Sequence, residues 1–164
     1  MDTRPVPIMR RSLVSKRPFD KVMESLDAAL GHPDIAIFGR KIASVATSAE
    51  LESVVDDAVG SCGLMEFMRL NIGAVLRLYH GAQSGRSLRL LVGNPVTMKR
   101  MAEHVPDAAS YAPVTLLIDE RADGVHLSYD TMASFLAPYG NEEALKVARD
   151  LDAKVETLLT EACG

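Results

Sequence analysis

A buried strand that runs directly into Gly93-Asn94-Pro95 constrains the fold of this chain more than any other stretch of its sequence. Leu88 to Val92 has the apolar composition of a buried strand. Asn94 is a favoured helix cap, and Pro95 suits the first helical position because its missing N–H would be unpaired there anyway. The chain is therefore expected to turn from a strand into a helix here, and the helix is expected to reach about His104.

The chain contains enough apolar sequence for one core. Its 164 residues are 48% hydrophobic, which suffices for a single sizeable core and does not require a second. Aromatic residues make up 5% and Trp is absent, so the core must be aliphatic and rich in Met. We therefore expect a flexible leader over residues 1–7 and one domain over residues 8–164.

Short apolar or alternating runs predict strands along the whole chain. Their approximate bounds are Ile8–Ser15, Ile35–Phe38, Leu64–Leu70, Leu88–Val92, Val114–Asp119 and Val125–Tyr129. The last two flank Asp123-Gly124, a dipeptide that readily adopts the left-handed turn conformation. These two strands are therefore predicted to pair as an antiparallel hairpin.

Apolar residues at helical spacing, together with capping residues, predict the helices. Their approximate bounds are Phe19–Leu30, a segment from the Thr47-Ser48-Ala49-Glu50 capping box to Gly60, Ile72–His80, Pro95–His104, Asp130–Phe135 and Asn141–Ala162. Asp130 and Asn141 are interpreted as the caps of the last two helices. The pattern indicates an α+β fold with a single sheet, helices packed against it, and a long C-terminal helix over one face.

Three stretches of the sequence are similar to one bacterial and archaeal family. They are Leu90–Pro95, Val114–Asp119 and Gly124–Asp130, with Ser15, Pro18 and Phe19 at the start. On these motifs, of which Gly-Asn-Pro and Leu-Ser-Tyr-Asp are the most specific, the chain resembles the DUF302 family, a domain of unknown function. The resemblance covers most of residues 8–162. It implies a two-layer α+β sandwich, a homodimer, and no established reaction.

One position departs from the pattern of that family. Members often carry an Asp-His pair after the strand that corresponds to Leu64–Leu70, whereas this chain has Asn71-Ile72. An acid-base or metal-binding role of such a pair is therefore not expected to carry over to this chain.

The turn at Gly93, Asn94 and Pro95 is also a candidate ligand site. The first amides of a helix have no intrahelical partner, and they suit an anion. The amides of residues 96–98 would be available, with the Thr97 hydroxyl and the side chains of Lys99 and Arg100 nearby. The alternative is that the turn only begins a helix well, because such caps are common.

Polar residues at the ends of two other strands complete the candidate site. Ser128, Tyr129 and Asp130 close a strand, and strand ends often form the rim of a pocket. The Tyr129 hydroxyl would orient a polar ligand there. The alternative is that the Tyr129 ring packs in the core and Asp130 only caps a helix. Asn71 is the last candidate, either as a hydrogen-bonding residue or as a strand end.

The charge and hydropathy of the chain argue against two classes of partner. A net charge of -4 and a pI of about 5.5 give no general attraction for nucleic acid or anionic lipid. No apolar run reaches the roughly 18 residues of a membrane-spanning helix. No signal-peptide pattern follows the basic N-terminus, and no disulfide is required between Cys62 and Cys163, so a cytoplasmic location is expected.

No residue pattern identifies a metal or a cofactor. The histidines at positions 32, 80, 104 and 126 lack the close helical spacing of metal ligands. Methionines at positions 65, 68, 98, 101 and 132 would suit a flat hydrophobic ligand such as haem, but methionine more often fills a core. The patterns of a nucleophile elbow, a phosphate loop and a dinucleotide fingerprint are also missing. The cofactor is therefore unassigned.

Two functions remain open from the sequence, beside a purely structural one. The first is a module that binds a small molecule with an apolar body and an anionic or polar end near the Gly93-Asn94-Pro95 turn. The alternative is a small enzyme of proton-transfer or elimination type. It would use Tyr129 or a histidine as acid or base, and the helix start would stabilise an oxyanion. The structural interpretation is a dimer that only provides a platform for other proteins.

Overall fold

Over residues 3–80 and 85–164, the part of the chain that the computed structural model describes, five strands form one antiparallel sheet. The strands are β1 (Arg10–Ser15), β2 (Met65–Asn71), β3 (Ser87–Gly93), β4 (Val114–Arg121) and β5 (Gly124–Asp130). They lie in the order β1-β5-β4-β3-β2, and each neighbouring pair is antiparallel. β4 is therefore central, while β1 and β2 are the edges. The predicted hairpin is β4 and β5.

Helices form the second layer. They are α1 (Phe19–Ala29), α2 (Ile35–Ser44), α3 (Ser48–Asp56), α4 (Ile72–His80), α5 (Pro95–Ala102), α6 (Ala108–Tyr111), α7 (Met132–Leu136) and α8 (Glu142–Cys163), with a 3₁₀ turn at Ala137–Tyr139. The long helix α8 packs against α1, α5, α7 and β1. This arrangement confirms the predicted α+β class, with one sheet and a long C-terminal helix. The glycine-containing segment 81–85 is predicted from the sequence to be a loop, and residues 81–84 of it lie outside the described residues.

Strand alternation decides which face of the sheet the helices cover. Leu116 and Ile118 of β4 are fully buried, and the register places them opposite Tyr129 and Leu127 of β5. The apolar stripe of α8 packs over this face with Leu151, Val155 and Leu158 among its buried members. Each large aliphatic side chain that is removed from water in this way stabilises the fold by about 1.5–3 kcal/mol. The opposite face of the sheet is open.

The long helix α8 is amphipathic rather than uniformly apolar. It has 22 residues, and charged side chains such as Lys146, Arg149 and Asp150 lie on its exposed side. Across the described ranges, no helix combines the length and the apolar character that crossing a bilayer would need.

The predicted strand at Ile35–Phe38 is wrong, because these residues begin α2. The Asp34 carboxylate accepts a hydrogen bond from the Ile37 amide at 2.8 Å and caps the helix. Phe38 then reaches a small second core with Val55 and Met65. A run of four apolar residues has no periodicity that separates a strand from a helical turn, so the cap was the better signal.

Three of the four predicted caps are confirmed, including Asn94 at the start of α5. Thr47 and Glu50 form the reciprocal capping box of α3, and the Asn141 side chain accepts a hydrogen bond from the Ala144 amide at the start of α8. Asp130 does not cap α7. Its carboxylate instead accepts two hydrogen bonds from the Arg10 guanidinium across the β1–β5 pair, at 2.7 and 2.8 Å.

Gly31 after α1 and Gly60 after α3 allow two backbone segments to pack directly against each other. The amides of Gly31 and Gly60 both donate to the Leu64 carbonyl, at 3.0 and 2.9 Å. A Cβ on Gly60 would lie 2.1 Å from the carbonyl oxygen of Ala29 and 2.4 Å from the carbonyl carbon of Leu30. These are backbone atoms and cannot rotate away, so a side chain would have to separate the two segments.

The substitution Gly60→Ala is expected to lower the free energy of unfolding by about 1–3 kcal/mol, the usual cost of overpacking. Urea-induced unfolding followed by circular dichroism measures this value. Gly39→Ala is the matched control, because a Cβ on Gly39 in α2 meets no atom within 4 Å. There alanine is expected to stabilise by about 0.5–1 kcal/mol through its helix preference. If Gly60→Ala and Gly39→Ala change the free energy of unfolding equally, the close backbone contact at Gly60 is not the cause of the destabilisation.

Candidate functional site

The Gly93-Asn94-Pro95 turn has the predicted geometry, but its amides are already bonded. The Asn94 Oδ1 atom accepts hydrogen bonds from the amides of Val96 and Thr97 at 2.9 and 3.1 Å. The Asn94 Nδ2 atom donates to the Gly63 carbonyl at 3.0 Å. The cap thus occupies the position that an anion would take at the start of α5, and it ties the turn to the loop before β2.

The space beside this turn is small. A cavity of about 130 Å³ lies there, lined by Phe67, Asn94, Pro95, Met98, Ala112 and Pro113. Ligand pockets usually have about 300–1,000 Å³, so this cavity does not hold a drug-sized molecule. Thr97 lines a different cleft, between α5 and α8, together with Arg100.

The sheet register separates the predicted site residues. Asn71 pairs with Leu88 at one end of β3, whereas Gly93 pairs with Met65 at the other end. The Asn71 side chain caps α4 by accepting a hydrogen bond from the Ala74 amide at 2.9 Å. Because β4 lies between β3 and β5, Tyr129 is two strands away from Gly93. The structure therefore does not bring Asn71, the turn and Tyr129 into one cleft.

The three residues that close β5 point to two different faces. Ser128 and Asp130 face the open side of the sheet, where they line a small cavity. The Tyr129 side chain points into the helical layer and is 1% exposed. The prediction that the Tyr129 hydroxyl orients a ligand at a rim therefore does not match its position.

A larger cavity lies between the N-terminal segment, α7 and α8. This α7–α8 groove measures about 600 Å³, within the usual range for ligand pockets. Its apolar wall consists of Pro7, Ile8, Met9, Ala133, Ala137, Leu145 and Ala153. Its polar side chains are Arg11, Thr131, Ser134, Arg149, Asp152 and Glu156.

Hydrogen bonds at Met9 and a cation–π contact at Arg4 hold the segment that forms the outer wall of the groove. The Met9 amide donates to the Ser134 hydroxyl at 3.0 Å, and the Met9 carbonyl accepts from the Thr131 amide at 2.9 Å. The Arg4 guanidinium lies 4.3 Å from the centre of the Tyr139 ring. Ile8 and Met9 are each 54% exposed, so the wall presents apolar side chains that the protein itself does not cover.

A buried carboxylate, Asp152 of α8, lines the groove and was not among the predicted site residues. Its oxygens accept hydrogen bonds from the Tyr129 hydroxyl at 2.5 Å and from the amides of Met132 and Ala133 at 2.7 and 3.0 Å. Asp152 thereby caps α7 from another helix, which is the role predicted for Asp130. Burial raises the pKa of Asp152 above the ordinary value of an aspartate, although these hydrogen bonds favour its charged form.

The pKa of Tyr129, the hydrogen-bond partner of Asp152, is also shifted. Burial first, and then the negative charge of Asp152, raise the pKa of Tyr129 well above its ordinary value. The Tyr129 hydroxyl therefore stays protonated over the physiological pH range and is the donor in its hydrogen bond to Asp152. The Tyr129–Asp152 hydrogen bond joins β5 to α8, and Asp152 also lines the groove.

The remaining ionisable candidates are separate from each other. His126 contacts the Asp123 carboxylate through Nε2 at 2.7 Å on the hairpin, and the His32 ring contacts the Asp27 carbonyl. Cys62 and Cys163 are free thiols, and burial raises the pKa of both. Within the residues that the structure describes, no three His, Cys, Asp or Glu side chains converge in a way that could hold a metal ion. The His80 side chain lies outside that description.

Comparisons with known proteins agree on one family. The model described as "Domain of unknown function DUF302" matches residues 40–162. The solved structure of an uncharacterized conserved DUF302 protein from Bacillus stearothermophilus is 11% identical in sequence, with a TM-score of 0.64. The match covers 93% of this chain and 97% of that chain, and at this identity it shows the fold alone. None of the curated proteins compared with the chain matches it.

The raised pKa of Asp152 gives a testable pH dependence of stability. Because the folded protein binds this proton more tightly than the unfolded chain, the Asp152 contribution to stability falls as the pH rises from about 4 through the raised pKa. Asp152→Asn removes this titration. The free energy of unfolding of the wild type, minus that of the variant, is therefore expected to decrease with rising pH in this window.

Urea unfolding at a series of pH values measures that difference. Asp150→Asn, on the exposed side of the same helix, controls for the loss of one negative charge from α8. If the difference in free energy of unfolding between the wild type and Asp152→Asn stays constant with pH, the pKa of Asp152 is not raised by folding.

Proposed function

Because the chain belongs to the DUF302 family, whose description assigns no activity, we propose its function from the α7–α8 groove: it is a domain that binds a small molecule. The ligand has an apolar body and an anionic or polar end. The observation that carries this proposal is a cavity of about 600 Å³ with an uncovered apolar wall and charged side chains beside it.

The apolar wall favours a ligand with a hydrocarbon body. Ile8 and Met9 expose more than half of their surface in the protomer, and Ala137 and Leu145 extend the same apolar lining. Covering such surface contributes about 25 cal/mol for each Å² removed from water. Methionine also adapts its shape to different ligands, because its side chain is unbranched and polarizable.

The charges beside the wall favour an anionic or polar end. The Arg11 guanidinium is engaged by the Glu156 carboxylate at 2.8 Å. Arg149 is freer, because its contact with Glu142 is long, at 3.6 Å, and both side chains are more than half exposed. Exposed pairs of this kind contribute about 0–1 kcal/mol, so a ligand anion can compete for Arg149.

The groove supports this function better than the Gly93-Asn94-Pro95 turn does. At the turn, the Asn94 side chain already accepts hydrogen bonds from the amides that an anion would need. The adjoining cavity of about 130 Å³ is also too small for an apolar body. The proposed ligand therefore has the chemistry predicted from the sequence, and its proposed place is the α7–α8 groove.

Proton-transfer chemistry has weaker support than binding. A base or acid must reach its substrate, and the Tyr129 hydroxyl is buried, bonded to Asp152 and raised in pKa. The acceptor atoms of Asp152 are taken by that hydroxyl and by two backbone amides. His32, His104 and His126 do not line the groove.

Decanoate, a carboxylate with an apolar chain, is the probe for this proposal. We expect it to raise the thermal midpoint of the wild-type protein, because a ligand that binds only the folded state stabilises it. Ala137→Trp fills the groove and is expected to abolish the shift. Ala43→Trp, at an exposed position of α2 away from the groove, is expected to keep it.

Decanol has the same apolar chain as decanoate but no carboxylate, so comparing the two tests each end of the proposed ligand. Arg149→Gln is expected to weaken the binding of decanoate by about tenfold, the loss of roughly 1.4 kcal/mol, and to leave decanol unchanged. Isothermal titration calorimetry gives both affinities. The proposal fails if decanoate produces no shift, or if Ala137→Trp and Ala43→Trp bind it equally well.

We also propose that two copies pair through a surface here named the β2–α4 patch, formed by Met68, Leu70, Val75, Leu78 and Tyr79. Leu78 and Tyr79 are 83% and 82% exposed, and Val75 is 55% exposed. β2 is an edge strand: its start pairs with Gly31, where the Glu66 amide donates to the Gly31 carbonyl at 2.9 Å, and the edge from Met68 onward can pair with another chain. Exposed apolar residues beside a free strand edge suit a two-fold interface in which the same patch meets itself.

Sedimentation equilibrium tests the pairing. The wild type is expected to be a dimer, and the double substitution Leu78→Asp with Tyr79→Ser is expected to give a folded monomer, since both side chains are exposed in the protomer. Ile37→Asp, at another exposed apolar position in α2, is the control and is expected to remain dimeric. A monomeric wild type would refute the proposal.

A further inference from the structure

The open face of the sheet carries a polar cavity that the proposed function does not use. It measures about 230 Å³ and is lined by Arg10, Arg89, Thr115, Leu117, Ser128 and Asp130, with part of Tyr129. The helical layer and the α7–α8 groove lie on the other side of the sheet. The cavity is therefore separate from the proposed ligand site.

The sheet register places side chains from three neighbouring strands side by side in this cavity. Arg89 of β3 lies opposite Leu117 of β4, and Leu117 lies opposite Ser128 of β5, so the three side chains form one row across the open face. The Arg89 Nη2 atom donates to the Thr115 hydroxyl at 3.3 Å. The Arg89 guanidinium thus contacts the Thr115 hydroxyl of β4, and the Ser128 hydroxyl of β5 lines the same cavity.

Arg89 differs from the other arginines of the sheet. The guanidinium groups of Arg11, Arg69 and Arg121 each contact a carboxylate. Over the described ranges, no carboxylate lies within ion-pair distance of Arg89. In the same cavity, Arg10 is neutralised by the two oxygens of Asp130. One positive charge therefore remains unbalanced.

We propose that this cavity binds a carboxylate group through Arg89. The planar guanidinium presents two parallel N–H donors that match the two oxygens of a carboxylate. The hydroxyls of Thr115 and Ser128 are further donors at the same place. Because Arg10 and Asp130 neutralise each other, Arg89 supplies one unbalanced positive charge, which a monoanion balances better than a dianion does. The volume admits a small carboxylate or the carboxylate end of a larger molecule.

Acetate is the probe for this site, with sulfate as the dianion and chloride as the control for ionic strength. Nuclear magnetic resonance follows the backbone amides of Thr115 and Ser128 during each titration. We expect acetate to shift both signals to saturation, sulfate to bind more weakly, and chloride to cause no saturable shift at equal ionic strength. The screening of exposed charges by salt makes that control necessary.

Substitutions at the guanidinium separate a specific site from a general effect of charge. Arg89→Gln is expected to weaken acetate binding by about tenfold or more, and Arg89→Lys by less, because lysine keeps the charge and loses the paired donors. Arg100→Gln, on α5, is the matched control and is expected to bind acetate as the wild type does.

Three results would overturn the proposal. Equal shifts with chloride, or unchanged acetate binding by Arg89→Gln, would show that no site is present at Arg89. Tighter binding of sulfate than of acetate would refute the assignment to a carboxylate. A change of the oligomeric state in Arg89→Gln would show that a second copy of the chain supplies the partner of this arginine. None of these results depends on the α7–α8 groove.

Discussion

The buried carboxylate of Asp152 holds together three elements that meet at the end of the sheet. It accepts hydrogen bonds from the Tyr129 hydroxyl of β5 and from the first amides of α7, while its own backbone belongs to α8. The Thr131 side chain makes no cap bond to α7, so without Asp152 the Met132 amide would keep only its longer contact with the Tyr129 hydroxyl, at 3.2 Å, and the Ala133 amide would lose its acceptor inside the protein. The course of the chain after β5, and with it the wall of the α7–α8 groove, depends on this one side chain.

The two faces of the sheet offer different chemistry because the strands alternate. Successive side chains of β5 point to opposite faces. Tyr129 points to the helical layer, whereas Ser128 and Asp130 point to the open face. The helical side therefore contains an apolar groove beside a buried carboxylate. The open side contains hydroxyls and guanidinium groups. The ligand proposed for the first has a hydrocarbon body, and the group proposed for the second is a carboxylate.

Much of the fold could be predicted from local sequence. The capping box at Thr47, the hairpin at Gly124 and the cap at Asn94 all form as expected, because each is decided by neighbours within a few residues. The candidate site was harder to predict. The sequence signal for Asp152 was a carboxylate within the apolar stripe of α8, between Leu151 and Val155, where a charge requires a buried partner. Its partner Tyr129 lies 23 residues earlier, and no local pattern connects them.

The sequence by itself determined the α+β class, the strand-to-helix turn at Gly93-Asn94-Pro95 and the resemblance to one family. These follow from short-range preferences of the backbone and from the alternation of apolar residues. Only the tertiary structure decided that β4 would separate Tyr129 from Gly93 and that Asp152 would cap α7. Strand order and contacts between distant segments arise from packing of the whole chain, which local preferences do not specify.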